Sequence, residues 1–345
     1  MTTTIDNEHK IFNVPNLRFP ECQGEWKECK LGDVAMVVGG GTPDTNNHKY
    51  WNGDIQWFTP SEIGRDKYVT NSLRTISEEG LNKSSAKLLP IGTILLSSRA
   101  TVGECSINKV ECTTNQGFQS LITKEYFSKE FVFYLMQTKR KELIRKSCGS
   151  TFLEISANEV RKIKIAVPTS KEQEKISKLL ALLDERITIQ NKIIEKLESL
   201  IKGIRNDVFG KLRKSVGFNA MIGDVLSYEQ PQSYLVEDTE YTNEGTPVLT
   251  ANKAFVLGYT SEIEGIYDKG DCVIFDDFTL DCKYVDFFFK VKSSAIKILT
   301  TKNKELLRYT FEFLKYLDLS TEEHKRHYII LQKRKIKNSF CQLCK

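Results

Sequence analysis

Thr42, Thr59, Ser61, Arg99, Thr101, Asn115, Gln116 and Gln119 stand in short polar strings in the first half of the chain. Thr250, Asn252, Lys253, Asp277, Thr279 and Lys283 do the same in the second half. These side-chain types match base edges in a major groove, where Arg pairs with guanine, Asn or Gln with adenine, and a Thr hydroxyl with either. Any one of them also fits an ordinary loop. Together they make a polar surface suited to reading a partner rather than transforming one.

Residues for transformation are missing. No two of the eight prolines are adjacent, which excludes an Asn-Pro-Pro-Tyr signature of the kind amino-methyltransferases use. Gly-Lys occurs only at Gly210-Lys211, without the spacing of a phosphate-cradling loop, and Gly39-Gly40-Gly41 lacks the dinucleotide pattern and reads as a flexible turn. His324 and His327 stand three apart without Cys or Glu at metal-ligand spacing, and Cys341-Cys344 has no second pair, so no metal is expected. No Gly-x-Ser-x-Gly nucleophile motif is present, and no carboxylate cluster beside a Lys suggests a nuclease. The chain is expected not to be an enzyme and to carry no cofactor of its own.

The 345 residues amount to about two domains of chain. The net charge of +5 is uninformative as a total but changes in blocks. Residues 1–160 are neutral, 161–214 carry +7, 217–301 carry −8 and 302–345 carry +6. Nine cysteines, an odd number without a disulfide framework, suggest reduced thiols and a cytoplasmic location. No uncharged apolar run is long enough to suggest a membrane span.

Three landmarks recur in order. Leu31-Gly32-Asp33-Val34 returns as Ile222-Gly223-Asp224-Val225; the Gly turn entering an apolar strand at 89–95 returns at 267–273; Arg161-Lys162-Ile163-Lys164 returns as Arg334-Lys335-Ile336-Lys337. The offsets shrink from 191 to 178 to 173, as expected of two copies of one module with shorter loops in the second. Within each copy, short β-branched and aromatic runs (91–96, 273–275, 285–291) predict strands, and closing amphipathic stretches (131–146, 306–317) predict helices. The fold class is therefore α+β.

Between the copies, Ile176, Leu180, Leu183, Ile187, Gln190, Ile194, Leu197, Ile201, Ile204 and Val208 follow at strict four-three spacing. They predict one long helix of about 50 Å with a coiled-coil seam, capped at Thr169 or Ser170 and closed by Gly210. Each apolar seam residue would contribute about 1.5–3 kcal/mol if fully buried, so a partner helix or the chain's own domains must cover it. Gln190 would help to fix the register.

The combined strings resemble the specificity subunits of type I restriction-modification systems. The resemblance runs through Leu31-Gly32-Asp33-Val34, Gly39-Gly40-Gly41-Thr42-Pro43, Trp57-Phe58-Thr59-Pro60-Ser61-Glu62-Ile63, residues 92–103 and Thr114-Asn115-Gln116-Gly117-Phe118. It continues through Val167-Pro168 and Glu172-Gln173-Glu174-Lys175-Ile176, which resemble the entry to that family's spacer helix. It implies two similar target recognition domains of mixed strands and helices, joined by a long coiled-coil spacer helix. Each domain would read one half of a bipartite double-stranded DNA site. Methyltransferase subunits would dock on the scaffold and use S-adenosylmethionine, and a restriction and translocase subunit would use ATP and Mg; those cofactors belong to the partners.

On this basis the expected layout is an N-terminal extension at 1–25, recognition domain 1 at 26–165, spacer at 166–215, recognition domain 2 at 216–337 and a divergent tail at 338–345. The pattern departs after Lys337, where a second spacer helix is due and residues 338–345 follow instead. That suggests truncation, with either self-association through the spacer helix or an inactive subunit as its consequence. The alternative from another class is a coiled-coil adaptor whose two modules bind protein.

Overall fold

The computed structural model describes residues 15–149, 153–215, 220–251, 254–301, 304–317 and 335–336. Asn252, Lys253, His324, His327, Cys341, Cys344 and the tail at 338–345 lie outside them. The chain divides into two compact units, residues 1–189 and 190–345.

Unit 1 runs β1 (Lys27–Lys30), α1 (Leu31–Val34), β2 (Ala35–Gly39), β3 (Trp51–Phe58), β4 (Tyr68–Val69), β5 (Arg74–Ile76) and α2 (Glu78–Asn82). It continues with β6 (Ile94–Leu96), β7 (Cys105–Asn108), β8 (Cys112–Thr114), β9 (Gln119–Thr123), α3 (Lys129–Lys146), α4 (Ala157–Arg161) and β10 (Lys164–Val167). Helix α5 (Ser170–Ser215) begins in unit 1 and ends in unit 2. Unit 2 holds β11 (Ala220–Met221), α6 (Ile222–Val225), β12 (Ser227–Glu229), β13 (Thr246–Leu249), β14 (Val256–Thr260) and β15 (Cys272–Asp276). It closes with β16 (Cys282–Val285), β17 (Lys290–Val291), β18 (Ile296–Thr300), α7 (Lys304–Tyr316) and β19 (Lys335–Ile336).

The two units repeat one strand order. In unit 1 the sheets are β2-β9-β6-β7-β4, β5-β3-β8 and β1-β10; in unit 2 they are β12-β18-β15-β16, β14-β13-β17 and β11-β19. The senses agree as well. β3 and β13 each take one antiparallel and one parallel neighbour, and β1-β10 and β11-β19 are both antiparallel. β4 is the one strand of unit 1 without an equivalent among the described residues of unit 2.

Two of the three sequence landmarks mark equivalent positions. The Gly-Asp-Val strings form α1 and α6, and in both the Asp carboxylate accepts a hydrogen bond from the backbone N–H three residues earlier (Asp33 from Lys30, 2.8 Å; Asp224 from Met221, 3.1 Å). Gly92 and Gly270 both take a left-handed φ, +87° and +93°, to turn the chain into β6 and β15. The Arg-Lys-Ile-Lys strings each reach a strand paired with the one that opens its unit, but not in the same register: Lys30 pairs with Lys164 and its counterpart Met221 with Lys335, so the second string is shifted by two residues.

Periodicity explains the packing. In α3, Phe131, Val132, Met136 and Leu143 are buried in one core with Leu31, Val34, Ile94, Ile107 and Leu121. In α7, Leu307, Phe313 and Leu314 are buried with Ile222, Val273, Phe275 and Leu299. The buried thiols behave as small apolar groups, since desolvation pushes Cys105, Cys112 and Cys272 up to about 12 and Cys282 to about 11. Among the described residues no helix is long and apolar enough to cross a membrane.

Three expectations change. The run 285–291 is not one strand: β16 ends at Val285, Phe287 and Phe288 are exposed in a loop, and β17 holds only Lys290–Val291. Gly210 does not close α5, which continues to Ser215. Phe209 and Leu212 pack into the unit 2 core on either side of Gly210, and that burial outweighs the roughly 1 kcal/mol a mid-helix glycine costs. Nor is Gly39-Gly40-Gly41 a flexible turn. A Cβ on Gly40 would lie 2.1 Å from the Asn115 carbonyl oxygen, and one on Gly41 would lie 2.2 Å from Ser85 Oγ. These glycines permit close backbone approach.

Candidate nucleic-acid interface

In unit 1 the polar strings converge because strand ends bring their loops together. The loop after β2 is held to the end of β8 by Gly41 N–H donating to the Thr114 carbonyl at 2.8 Å. Thr42 Oγ1 then donates to Gln116 Oε1 at 2.5 Å. The loop after β3 reaches the same place. Asn115 N–H donates to the Phe58 carbonyl at 3.1 Å, and a Cβ on Gly117 would lie 3.0 Å from the Pro60 ring and 3.7 Å from Arg99 Cβ. Ser98 N–H donates to the Gly117 carbonyl at 2.8 Å, and Thr101 Oγ1 is 3.4 Å from the Pro60 carbonyl. Thr42, Thr59, Ser61, Arg99, Thr101, Asn115 and Gln116 therefore share one cluster.

Each is oriented by its neighbours. Glu62 accepts from both the N–H and the hydroxyl of Thr59, at 2.7 and 2.6 Å, which caps the 3-10 turn Pro60–Glu62 and leaves Ser61 exposed. Asn115 Oδ1 accepts from Gly117 N–H at 2.9 Å. Arg99 donates from Nε and Nη2 to Glu154 Oε2 at 3.1 and 2.6 Å. The side chains of that pair are 42% and 41% exposed, so it is worth at most about 1 kcal/mol and the guanidinium can exchange it for a ligand. The turn carrying Arg99 holds Ala100 at φ +64°, a left-handed conformation that costs a non-glycine residue about 1–2 kcal/mol. Gln119 stands apart on β9, opposite Gly39, with its Oε1 buried and unpaired.

The equivalent turn of unit 2, between β15 and β16, also holds a left-handed residue, Leu280 at φ +62°. Asp276 Oδ1 accepts from the N–H groups of Phe278 and Thr279, both at 2.9 Å, and shapes this shorter turn. Thr279 is exposed on it, whereas Thr250 and Asp277 are buried and Lys283 lies within β16 opposite Ile274. Where Gln119 faces Gly39 in unit 1, the buried Lys297 of unit 2 donates to Gln230 Oε1 at 2.9 Å. The two loop surfaces thus differ in chemistry on one strand framework. Among the described residues no group of three or more His, Cys, Asp or Glu is arranged to hold a metal ion.

Helix α5 spans 46 residues, about 69 Å at 1.5 Å per residue. Its start is fastened by partners distant in sequence. Glu172 is 1% exposed. It accepts from Arg18 Nε and Nη2, both at 2.7 Å, and from Trp26 Nε1 at 3.2 Å. The Arg18 guanidinium holds its carboxyl below the usual carboxylate range. Gln173, also buried, donates to the Pro168 carbonyl at 3.0 Å and accepts from Ser128 N–H at 2.9 Å. About three turns further along α5, Lys67 donates to the Tyr134 hydroxyl at 3.0 Å, which donates to Asp184 at 2.6 Å. Burial pulls the Lys67 ammonium below its ordinary value.

Of the ten seam residues, Ile176 and Leu180 pack against the unit 1 core. Leu183, Ile187, Ile194, Leu197, Ile201, Ile204 and Val208 remain 45–59% exposed, and Gln190 is exposed with them. Within unit 2 the end of the helix is anchored by Phe209, whose ring lies 5.2–5.5 Å from those of Tyr309, Phe313 and Tyr316, and by Arg205 Nε donating to Glu312 at 2.5 Å.

These features define an internally repeated α+β protein with polar loop surfaces and an exposed helical seam. The sequence profile of the "Type I restriction modification DNA specificity domain" family matches residues 23–199. The chain is 30% identical over 305 residues to the type I restriction enzyme MjaIX specificity subunit of Methanocaldococcus jannaschii, covering 82% of this chain and 67% of that one. It is 48% identical over 115 residues to a type I restriction enzyme specificity subunit of Escherichia coli, covering 31% and 28%. The chain therefore spans about two thirds of the first relative's length and little more than a quarter of the second's. In fold it is similar to the crystal structure of a type I restriction-modification system S subunit from M. genitalium, with a TM-score of 0.61, 15% identity, and coverage of 88% of this chain and 80% of that one. The chain belongs to the type I restriction-modification specificity subunit family.

Proposed function

We propose that the chain is a non-catalytic DNA-specificity subunit in which each unit reads one half of a bipartite target. The single observation that carries this reading is the repetition of one strand order in two units whose loop surfaces differ in chemistry. One framework with two sets of loops suits two different half-sites. In unit 1, Arg99 would exchange its exposed pair with Glu154 for a guanine edge. Gln116, exposed and steadied by Thr42, would present its amide to an adenine. Helix α5 would space the two readers and dock methyltransferase subunits, and a restriction and translocase subunit would join that assembly. S-adenosylmethionine, ATP and Mg would be bound by those partners.

Charge is consistent with shared binding. Residues 217–301 carry −8 and 161–214 carry +7, so phosphate contacts would come from the helix region and from partner subunits, with affinity falling as salt rises. Mapping methylated adenines genome-wide by single-molecule sequencing, in the host with and without this chain, tests the reading. One bipartite methylated motif should vanish when the chain is removed, and an unchanged methylome would contradict the proposal.

A further inference from the structure

We infer that Arg74 is a phosphate-binding residue of unit 1, its guanidinium held on an indole face at the margin of the loop cluster to take the backbone of a DNA duplex. This deepens the reading of unit 1 as a DNA reader and rests on it. The starting observation is a stack. The guanidinium carbon of Arg74 lies 3.6 Å from the ring centre of Trp51 and 5.5 Å from that of Trp57, and the two indoles meet edge to face at 5.1 Å. Both tryptophans are buried, whereas Arg74 is exposed. The ring quadrupole attracts a cation so placed and keeps its planar fork against the ring.

The backbone of Arg74 is fixed as firmly as its side chain. Ser72 Oγ donates to the Arg74 carbonyl at 2.6 Å and accepts from Trp57 N–H at 2.9 Å, while Glu62 Oε1 accepts from Leu73 N–H at 2.6 Å. With both ends of the residue held, little rotamer freedom remains to be lost on binding. The charge itself is uncommitted. Among the described residues no carboxylate pairs with Arg74, whereas Arg18, Arg99, Arg140 and Arg205 each have one. Covering Trp51 would need only an apolar side chain; an ordered cation without a counter-charge is suited to an anion.

Position selects the anion. Arg74 stands opposite Trp57 in the pairing of β5 with β3, two residues before Thr59. The Trp57 indole N–H donates to the Gly41 carbonyl at 2.9 Å, next to Thr42. Glu62, which accepts from Leu73, accepts from Thr59 N–H through its other oxygen. Arg74 therefore borders the loops of Thr42 and Thr59. In the sheet order β5-β3-β8 its strand is an edge, and Gln116 follows β8 on the far side of β3. A cation at the margin of base-reading loops is placed for the sugar-phosphate strand that borders a groove, a contact that positions the duplex without reading it. The neutral total of residues 1–160 conceals it.

The test measures DNA binding by the complex reconstituted with its methyltransferase subunits, over a range of salt, on a duplex carrying the target motif and on one lacking it. Arg74→Met keeps an apolar cover on Trp51 and removes the charge. It should weaken binding of both duplexes about tenfold and lower the slope of log affinity against log salt by about one. Arg74→Lys keeps the charge without the flat stack, so it should retain the slope and lose only part of the affinity. Wild-type affinity and slope in Arg74→Met would overturn the inference. So would a loss confined to the motif-bearing duplex, which would make Arg74 a base reader, or a slope in Arg74→Lys as low as that of Arg74→Met. A wild-type complex that binds neither duplex would overturn the DNA-reading proposal together with this one, whereas the three variant outcomes overturn this one alone.

Discussion

Replacing Phe209 by alanine is expected to destabilise unit 2 by about 3–5 kcal/mol, the usual cost of deleting a buried aromatic side chain. The ring is 4% exposed and lies against Tyr309, Phe313 and Tyr316, so α7 cannot close the space it would leave without losing its own contacts. The chain provides a way to localise the effect. Its three tryptophans, Trp26, Trp51 and Trp57, all lie in unit 1. In a urea titration the far-ultraviolet circular dichroism of Phe209→Ala should gain an early transition, while tryptophan fluorescence keeps the wild-type midpoint. Equal shifts of both probes would show that Phe209 is not the local anchor described above.

Glu172→Ala should act at the other end of the helix. It removes a buried carboxylate that accepts two charged hydrogen bonds from Arg18 and one from the Trp26 indole. The expected loss is about 2–3 kcal/mol, because Arg18 keeps access to solvent after its partner is gone. Here tryptophan fluorescence should report the change first. The pair also predicts a pH dependence. Arg18 lowers the folded pKa of Glu172, so its stabilisation is fully present above the unfolded carboxylate value of about 4.3. It is lost as the pH falls through the lower folded value. In Glu172→Ala the acid limb of the unit 1 stability profile should flatten, and an unaltered limb would mean that other carboxylates govern it.

What could be read in the sequence was what local chemistry decides. The seam of α5 was legible because seven residues per two turns leave a mark that no strand imitates. The repeat was legible at two places where backbone geometry restricts the residue, a capping Asp and a left-handed Gly, whereas the Arg-Lys-Ile-Lys match lies two residues out of structural register. The limits were equally physical. Gly210 reads as a helix end until Phe209, buried, and Leu212, half-buried, are seen packed into the core around it. Residues 285–291 read as one strand because nothing local reveals that Phe287 and Phe288 are exposed.

The loop cluster was legible in composition but not in arrangement. Arg99 and Gln116 were visible as residue types, whereas their proximity depends on loops from two different sheets, after β6 and after β8, joined by Ser98 N–H donating to the Gly117 carbonyl. Gly40 and Gly41 looked like looseness and prove to be closeness. A signal for the latter existed, since three glycines leading to a Thr-Pro between apolar strands also mark a place where backbones touch. Glu172 was legible only as part of the string that resembles the entry to the spacer helix, because its partners, Arg18 and Trp26, lie about 150 residues away in sequence.

The central claim is that the two units read two half-sites independently. Its most direct measurement is the methylation motif produced by a reconstituted complex carrying Arg99→Ala and Gln116→Ala, mapped by single-molecule sequencing beside the wild-type motif. The account predicts that one half of the bipartite motif relaxes or is lost, while the other half and the spacing between them are retained. A motif unchanged in both halves, or altered equally in both, would contradict it.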